Sequence, residues 1–558
     1  MKETNASDQK TATNTDSAVK ADAGETQEIN KRLWVGGAAA ILIVGAFLRL
    51  YHLNLVPLHH DEGVNGHFMM RLVREGFYQY DPQNYHGPTL YYFSALIPWI
   101  SNFLFGKSFL ENYGLTTFTI RFVTVAFGVA TIWLVLTLRR RIGTIAALSG
   151  AALLALSPGA VYLSRYFIHE TLLVFFTLAL VTTALRFYES RRATYLMLAA
   201  TSAALMFATK ETAIISAGVL LIALMSTMVL TRTRELQKGK SKAGNRRQKL
   251  ETWQERLHST TARFGGPLSL AILSIAALSL FLTINILFYS SFFKNSQQGL
   301  YDALKTFQFW ARTGTQIHRY PWWTYFAWML KEESPVLLLG FVGVVMAIWR
   351  GSNRFATFTA LWALGTFAAY SLIPYKTPWL TLNLLVPLAI VAGYAFEEIY
   401  KQARARKLRL VALAIAVVLL AVSGYQMLKL NFVHYDDERY VYVYAHTQRD
   451  IFPMLQEIDR AAKRAGTDKQ TAIMINSPEY WPLPWYLRHY SSVRYGSSLI
   501  SEDPIIIGSE KQQHLFHSLL EDRYEQVKSG LNPAGTYTLR PGVGLVLYVR
   551  RDLRAHFP

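Results

Sequence analysis

Ionisable side chains are concentrated in residues 59–88, a stretch that directly follows the first long apolar segment. The stretch reads HHDEGVNGHFMMRLVREGFYQYDPQNYHGP and places two acids, Asp61 and Glu62, after two histidines. A charge beside hydrocarbon is costly, so acids at this position indicate a functional site. We predict Asp61 and Glu62 as catalytic residues: Asp61 as a general base, and Glu62 sharing its proton or orienting it. The alternative is that the acids only cap a helix.

Other clusters of acids, bases and aromatic residues follow in the motifs SRYFIHE, ATKE, HRYPWW and YKTPW. Their cations could hold a phosphate, and their aromatic rings could stack on a sugar or line an apolar groove. We predict phosphate binding by Arg165, Lys210, Arg319 and Lys376. We predict substrate binding by His60, Tyr85, His86, Glu170, Glu211, Tyr375 and Trp379. In the alternative reading, Arg165 only pairs with Glu170, and Lys210 and Glu211 belong to a buried structural pair.

The composition indicates that these clusters belong to a membrane protein. Of 558 residues, 51% are hydrophobic and only 17% are charged, against about 25% charged residues in soluble domains. The net charge of +20 could suggest nucleic-acid binding. We exclude nucleic acid as a partner because the basic residues lie in short loops between apolar segments, where they set membrane orientation. The chain has no cysteine, so disulfides and cysteine-bound metals are excluded.

The apolar segments predict a polytopic all-α bundle of about eleven spans, followed by a small α/β domain. Every second loop is basic, so we place the N-terminus inside and the C-terminus outside a cytoplasmic (inner) membrane. Residues 1–30 are predicted to form a disordered cytoplasmic tail. The transmembrane domain is predicted at 31–429, with a first outer loop at 51–117 and a basic cytoplasmic loop at 231–263. The first outer loop should contain two interfacial helices, one over 61–75 ended by Gly76 and one over 88–105.

Residues 430–558 lack the long apolar segments of the preceding chain. We predict that they form a small extracytoplasmic α/β domain without a span. A polar helix is expected over 448–464. Short β-rich runs predict strands over 472–475, 505–507 and 544–549. No internal repeat is evident, which weighs mildly against an inverted-repeat transporter.

All the chemically suggestive clusters fall on the predicted outer side. The sequence has no phosphate-cradling glycine loop, so ATP hydrolysis by this chain is not expected. Outside the membrane there is no nucleotide pool, and a glycosyl donor there would be lipid-linked. We therefore expect an outward-facing polar cavity for a lipid-phosphate-linked sugar. No cofactor is predicted, although His59, His60, His67 and His86 could bind a divalent metal together with the acids.

The motif order resembles a known family. The Asp-Glu pair after the first span is similar to the acidic motif of the GT-C membrane glycosyltransferases, which include the protein O-mannosyltransferases and the lipid A aminoarabinose transferases. The series HHDE, YDPQNYHGP, SRYFIHE, ATKE and YKTPW resembles most closely the flippase activity-associated family of predicted glycosyltransferases. The resemblance covers about 33–427. It implies a GT-C bundle with interfacial helices in the first outer loop, a polyprenyl-phosphate sugar donor, and Asp61 as the catalytic residue.

The leading hypothesis is a membrane glycosyltransferase of the cell envelope. It would transfer a sugar, with inversion, from a polyprenyl-phosphate donor to an acceptor hydroxyl on a glycan, lipid or protein. The alternatives are a lipid-linked saccharide transporter or flippase-associated partner without transferase activity, and a non-catalytic scaffold. A transporter should carry charges near the bilayer midplane in broken helices, whereas a scaffold needs no cavity that combines acids and cations.

Overall fold

The computed structural model describes residues 30–84, 86–106, 114–242, 262, 264–312, 319–496, 502–530, 532 and 534–553. Almost all of the predicted N-terminal tail and most of the predicted basic loop 231–263 lie outside this part, as does Tyr85. The remainder consists of a helical bundle followed by a region that contains a β-sheet, as predicted.

The bundle is built from apolar helices. Within the described residues, eight are long and apolar enough to cross a membrane, or up to ten if each of two bent helix pairs forms one span. The predicted number of about eleven is reached only when the shorter apolar helix Ala193–Phe207 is also counted. The helices of residues 30–428 are α1 (Lys31–Leu50), α2 (His60–Glu75), α3 (Thr89–Phe105), α4 (Thr117–Thr137), α5 (Arg139–Ile142), α6 (Thr144–Leu156), α7 (Pro158–Ser164), α8 (Glu170–Ser190), α9 (Ala193–Phe207), α10 (Ala213–Lys242), α11 (Gly266–Tyr289), α12 (Ser296–Arg312), α13 (Thr324–Glu332), α14 (Ser334–Arg350), α15 (Arg354–Leu372), α16 (Leu382–Gln402) and α17 (Arg406–Leu428).

Helix α16 forms the centre of the bundle. The apolar window of its span is 94% buried, and the helix packs most extensively against α14 and α6. Glycines allow these close approaches, because a Cβ atom on Gly393 would lie 2.1 Å from the Ala146 carbonyl oxygen. Small residues at helix contacts are the usual device for packing helices within a membrane.

The two helices predicted in the first outer loop are present as α2 and α3. Helix α2 ends where predicted, at Gly76, whose φ of 74° lies in the left-handed region that favours glycine. Helix α3 continues through Pro98 to Phe105. Together with the start of α4 they enclose a second hydrophobic core, beside the main core of the bundle.

The C-terminal region contains a mixed sheet together with short helices. The elements are α18 (Ile451–Arg464), β1 (Ile473–Asn476), α19 (Leu483–Tyr486), β2 (Val493–Tyr495), β3 (Ile505–Ser509), α20 (Gln513–Leu520), β4 (Tyr524–Val527), β5 (Tyr537–Arg540) and β6 (Val543–Arg550). The strand order is β2-β1-β3-β6-β4, with β5 paired to β6. Strand β1 runs parallel to β2 and β3, whereas β6 runs antiparallel to its three neighbours. The predicted helix and all three predicted strands are present.

The sheet region docks directly on α2 and on the segments that precede α2 and α4. Trp485 of α19 is fully buried and packs against Gly66, where a Cβ atom would meet its ring at 2.7 Å. The Tyr486 hydroxyl accepts a hydrogen bond from the Leu58 backbone amide at 2.8 Å, and the Arg488 guanidinium donates to the Leu115 carbonyl. The C-terminal region therefore covers one face of α2 and helps to position it.

Candidate functional site

The N-terminal end of α2 separates its two acids. The Nδ1 atom of His59, the N-cap residue, accepts the Asp61 amide proton at 3.0 Å, and the Glu62 carboxylate accepts the His59 amide proton at 3.0 Å. This reciprocal pair is a capping box, which fixes the first turn of the helix. It turns the Glu62 side chain into the protein and leaves the Asp61 side chain 41% exposed at the wall of a cavity.

Glu62 lies outside this cavity, with a fully buried side chain. Its two carboxylate oxygens accept hydrogen bonds from the Arg121 guanidinium at 2.7 Å each, and one also accepts from the Phe167 amide at 2.8 Å. Arg121 in turn donates to three carbonyls of the chain that leads into α2. Glu62 therefore joins α2, α4 and the segment before α8, and its carboxylate is paired with Arg121 and not with Asp61, whose proton it was predicted to share or whose side chain it was predicted to orient.

The cavity has a volume of about 540 Å³ and lies at the ends of helices. Asp61 is in the first turn of α2, Glu170 is the first residue of α8, and Lys210 and Glu211 connect α9 to α10. The basic residues Arg139–Arg141 and Arg186 lie toward the opposite ends of α4 and α8. Eight of the predicted site residues line the cavity: His60, Asp61, His86, Glu170, Lys210, Glu211, Tyr375 and Trp379.

Two pairs of ionisable side chains line the cavity. The Lys210 ammonium contacts the Glu170 carboxylate, and the side chains are only 5% and 3% exposed. The Glu211 carboxylate lies 3.1 Å from His86 Nδ1. Burial opposes the ionised form of Glu211, but the charge and hydrogen bond of His86, the charge of Lys210 and a backbone hydrogen bond together outweigh burial, so that the pKa of Glu211 is lowered. Lys210 and Glu211, adjacent in sequence, thus have different partners.

Two histidines on the wall, His60 and His169, are held in their neutral forms. Burial, with the positive charges of His86 and Lys210 nearby, lowers the pKa of His169 well below its usual value, and its Nε2 atom donates to the Gly87 carbonyl at 3.0 Å. Burial also lowers the pKa of His60 to about 4. His60 Nδ1 accepts a hydrogen bond from Arg540 Nη1 at 3.2 Å, which brings a residue of β5 to the cavity wall.

Two predicted phosphate ligands are directed elsewhere. Arg165 donates to the carbonyls of Leu48, Tyr51 and His52 at the C-terminal end of α1, and Lys376 donates to three carbonyls at the end of α15. Cations commonly stabilise helix C-termini in this way, because the last carbonyls lack partners within the helix. The backbone of Arg319 forms a bridge to Tyr375, and its side chain is exposed near the cavity rim. Tyr85 lies outside the described residues.

The four histidines considered for a metal do not converge. Both ring nitrogens of His59 are engaged, since Nδ1 accepts from the Asp61 amide and Nε2 donates to the Tyr444 carbonyl. His67 packs against Trp481, outside the cavity. Across the described ranges, no group of three or more His, Asp or Glu side chains is arranged to hold a metal ion.

Sequence reasoning missed several lining residues. His169 lines the cavity and belongs to the SRYFIHE motif. Its residue type and its position next to Glu170 could have indicated that it is a site residue. Asn65, one turn after Asp61 on α2, also lines the wall, and its helical spacing could have indicated it. Arg540 does not itself line the cavity but contacts the lining residue His60, and it could not have been found because 480 residues separate the two.

Comparison with known proteins finds a family model and solved structures that are similar to this chain. Residues 95–241 match the family model described as dolichyl-phosphate-mannose-protein mannosyltransferase. No curated protein sequence matches the chain. Among solved structures, ArnT from Cupriavidus metallidurans bound to undecaprenyl phosphate matches with a TM-score of 0.55 and 15% identity, covering 93% of this chain and 98% of that chain.

A second solved structure is the archaeal oligosaccharyltransferase AglB from Archaeoglobus fulgidus, in complex with an inhibitory peptide and a dolichol-phosphate. It matches with a TM-score of 0.50 and 13% identity, covering 95% of this chain and 75% of that chain. At such identities the structural matches show a shared fold. Together with the family match they support the predicted GT-C superfamily and a membrane glycosyltransferase.

Proposed function

We propose that the protein transfers a sugar from a polyprenyl-phosphate-linked donor to an acceptor hydroxyl on the outer side of the inner membrane. One observation carries the proposal: the exposed Asp61 carboxylate and the Lys210 ammonium line a single cavity. That cavity lies at helix ends of a bundle shared with a structure bound to undecaprenyl phosphate. An acid, a cation and access from the bilayer are the parts that transfer from a lipid phosphate requires.

Lys210 is the residue we assign to the donor phosphate. The side-chain N–H groups of Arg165 and Lys376 donate to backbone carbonyls, whereas the Lys210 ammonium lines the cavity and pairs there with the Glu170 carboxylate. A phosphate that enters would share the ammonium with Glu170, and the charge-assisted contact would stabilise the departing phosphate as negative charge develops on it. We propose that Arg319 at the rim adds a second positive charge.

Asp61 acts as the general base in this proposal. Its carboxylate removes the proton from the acceptor hydroxyl while the hydroxyl oxygen attacks the anomeric carbon. The bond between that carbon and the phosphate oxygen breaks, and the lipid phosphate leaves with the electron pair. Attack opposite the leaving group inverts the anomeric configuration. His59 is neutral because burial lowers its pKa, so its 3.9 Å approach does not neutralise the Asp61 carboxylate.

The aromatic wall is proposed to bind the sugar. Tyr375 and Trp379 line the cavity next to Leu380, and aromatic faces commonly stack on sugar rings. The acids Glu170 and Glu211 are placed to accept hydrogen bonds from sugar hydroxyls. We propose that no metal takes part, since His59 is engaged with backbone groups, His60 with Arg540 and His86 with Glu211. Full activity after treatment with a chelator is the expected result.

The position of the charges also favours transfer over transport. Asp61, Glu170 and Lys210 lie at helix ends or in connecting segments, not within broken helices near the middle of the bundle. A non-catalytic scaffold would have no need for an exposed acid and a buried lysine in one cavity. We therefore propose transferase activity over both alternatives.

The test compares Asp61→Asn with the matched control Glu75→Gln, an exposed acid at the far end of the same helix. In vesicles supplied with a tritiated polyprenyl-phosphate hexose, the Asn variant should transfer the sugar about 10²–10⁴-fold more slowly. Binding of undecaprenyl phosphate should be unchanged in both variants, and the control should transfer at the wild-type rate. Wild-type transfer by Asp61→Asn would remove Asp61 from the mechanism and would favour the transporter alternative.

A further inference from the structure

A second cavity of about 540 Å³ lies at the other end of the bundle. Helix α8 connects the two, because Glu170 at its start lines the first cavity and Arg186 and Glu189 near its end line the second. The helix has 21 residues, which corresponds to about 30 Å, the thickness of the hydrocarbon core of a bilayer. The second cavity therefore lies at the depth of the lipid headgroups in the opposite leaflet.

The charge of this cavity is strongly positive. Four arginines line it, Arg139, Arg140, Arg141 and Arg186, against a single acid, Glu189, which pairs with Arg141. Among the residues that the structure describes, the guanidinium groups of Arg139, Arg140 and Arg186 have no carboxylate partner. Basic residues in cytoplasmic loops are explained by their general role in orienting membrane proteins. That role does not require several guanidinium groups without a carboxylate partner to line one cavity.

Aromatic rings hold two of these guanidinium groups. Arg139 lies over the Trp34 ring, 4.8 Å from its centroid, and Arg186 lies 5.8 Å from the Tyr195 centroid. A guanidinium stacked on a ring is oriented and still presents its N–H groups at the edge, where they match the oxygens of a phosphate. The site is thus arranged before any ligand binds.

The remaining wall is apolar and open to the side of the bundle. It includes Ala38 and Leu42 of α1, a helix whose apolar window is only 17% buried, and Trp133, which is 50% exposed. These residues lie deeper along their helices than the arginines, so an apolar chain could run along them from a charged head. A soluble anion has no apolar chain that could pack against this wall.

We propose that this cavity binds an anionic phospholipid of the leaflet opposite the candidate active site. The phosphate contacts Arg139, Arg140 and Arg186, and an acyl chain lies against the wall formed by Ala38, Leu42 and Trp133. Basic pockets between transmembrane helices are known to accept phosphorylated lipid headgroups. The inference is independent of the proposed reaction, since none of these residues lines the first cavity.

Native mass spectrometry of the full chain in a neutral detergent tests the proposal, with phosphatidylglycerol and phosphatidylcholine as probes. The wild type should bind phosphatidylglycerol about tenfold more tightly or better. The triple variant Arg139→Gln/Arg140→Gln/Arg186→Gln should lose this preference. The control Arg404→Gln/Arg406→Gln should keep it, because these exposed arginines lie in another basic loop and do not line the cavity.

A triple variant that keeps the preference, or a control that loses it equally, would overturn the proposal. A second measurement needs no variant: the preference of the wild type should decrease as salt concentration rises, and a preference insensitive to salt would also overturn the site. Inorganic phosphate at millimolar concentration should not displace the lipid. Complete displacement would identify a soluble phosphate site and refute the lipid assignment.

Discussion

Replacing Glu62 by glutamine should destabilise the protein, whereas replacing its neighbour Asp61 by asparagine should not. Glu62 is fully buried and accepts four hydrogen bonds, two from Arg121, one from the Phe167 amide and one from the His59 amide. Glutamine has one oxygen and one NH₂ group in place of two oxygens. Its NH₂ group would face donors, and the Arg121 charge would lose its partner inside the protein.

The loss in the free energy of unfolding follows from the burial of the Glu62–Arg121 ion pair. Breaking a buried ion pair by removing one charge typically costs about 3–5 kcal/mol, because the other charge stays buried without compensation. The cost should fall within this range, since the glutamine NH₂ group would face donors while Arg121 keeps three backbone carbonyls before α2 as acceptors. Arg121→Gln should cost a similar amount, and the double variant should cost much less than the sum of the two.

Thermal unfolding in detergent and sugar transfer in vesicles should be measured on the same preparations. Glu62→Gln should melt several degrees below the wild type, and its remaining activity should follow the fraction of folded protein. Asp61→Asn should melt like the wild type and lose transfer. Glu75→Gln serves as control, because that exposed acid pairs with Arg71 one turn earlier on α2. A Glu62→Gln variant that melts like the wild type but is inactive would refute the structural role and make Glu62 a participant in the chemistry.

Three further predictions concern the cavity and the topology. Arg540→Gln should lower kcat/KM for the donor about tenfold, because it removes the cation that holds the cavity histidine beside the proposed base, and Arg540→Lys should restore part of the loss in the same kinetic assay. Burial raises the pKa of Glu211, but the charge and hydrogen bond of His86, the charge of Lys210 and a backbone hydrogen bond together outweigh burial and lower the pKa. The contribution of Glu211 to stability is therefore present above pH 4.5 and is lost as the pH falls through the lowered pKa; melting curves from pH 6 to pH 3 should show a loss of stability that is smaller in Glu211→Gln. A membrane-impermeant thiol reagent should label a cysteine placed at Asp468 in intact cells but not one placed at Lys407, and the reverse result would refute the predicted orientation.

Local sequence patterns determined most of the secondary structure. Apolar length predicted the bundle, and helical spacing with a terminal glycine predicted α2 to within a residue, because these signals depend only on neighbours in the chain. The same reasoning found β1, β3 and β6, whose runs are rich in branched apolar residues. It missed β2, β4 and β5, which alternate buried with exposed positions or lie exposed at an edge and take their structure from pairing partners.

The types of the site residues were also evident from the sequence, and eight of them share one cavity. Their partners were not evident. Glu62 differs from Asp61 because an arginine 59 positions away reaches it, and Arg165 and Lys376 serve helix ends instead of the cavity. A motif fixes which groups are present and their local spacing, but burial decides which charge must be paired, and the pairing partner comes from another part of the chain. The tertiary structure alone therefore decided which charged groups remain available for chemistry and which are paired with other groups that stabilise the fold.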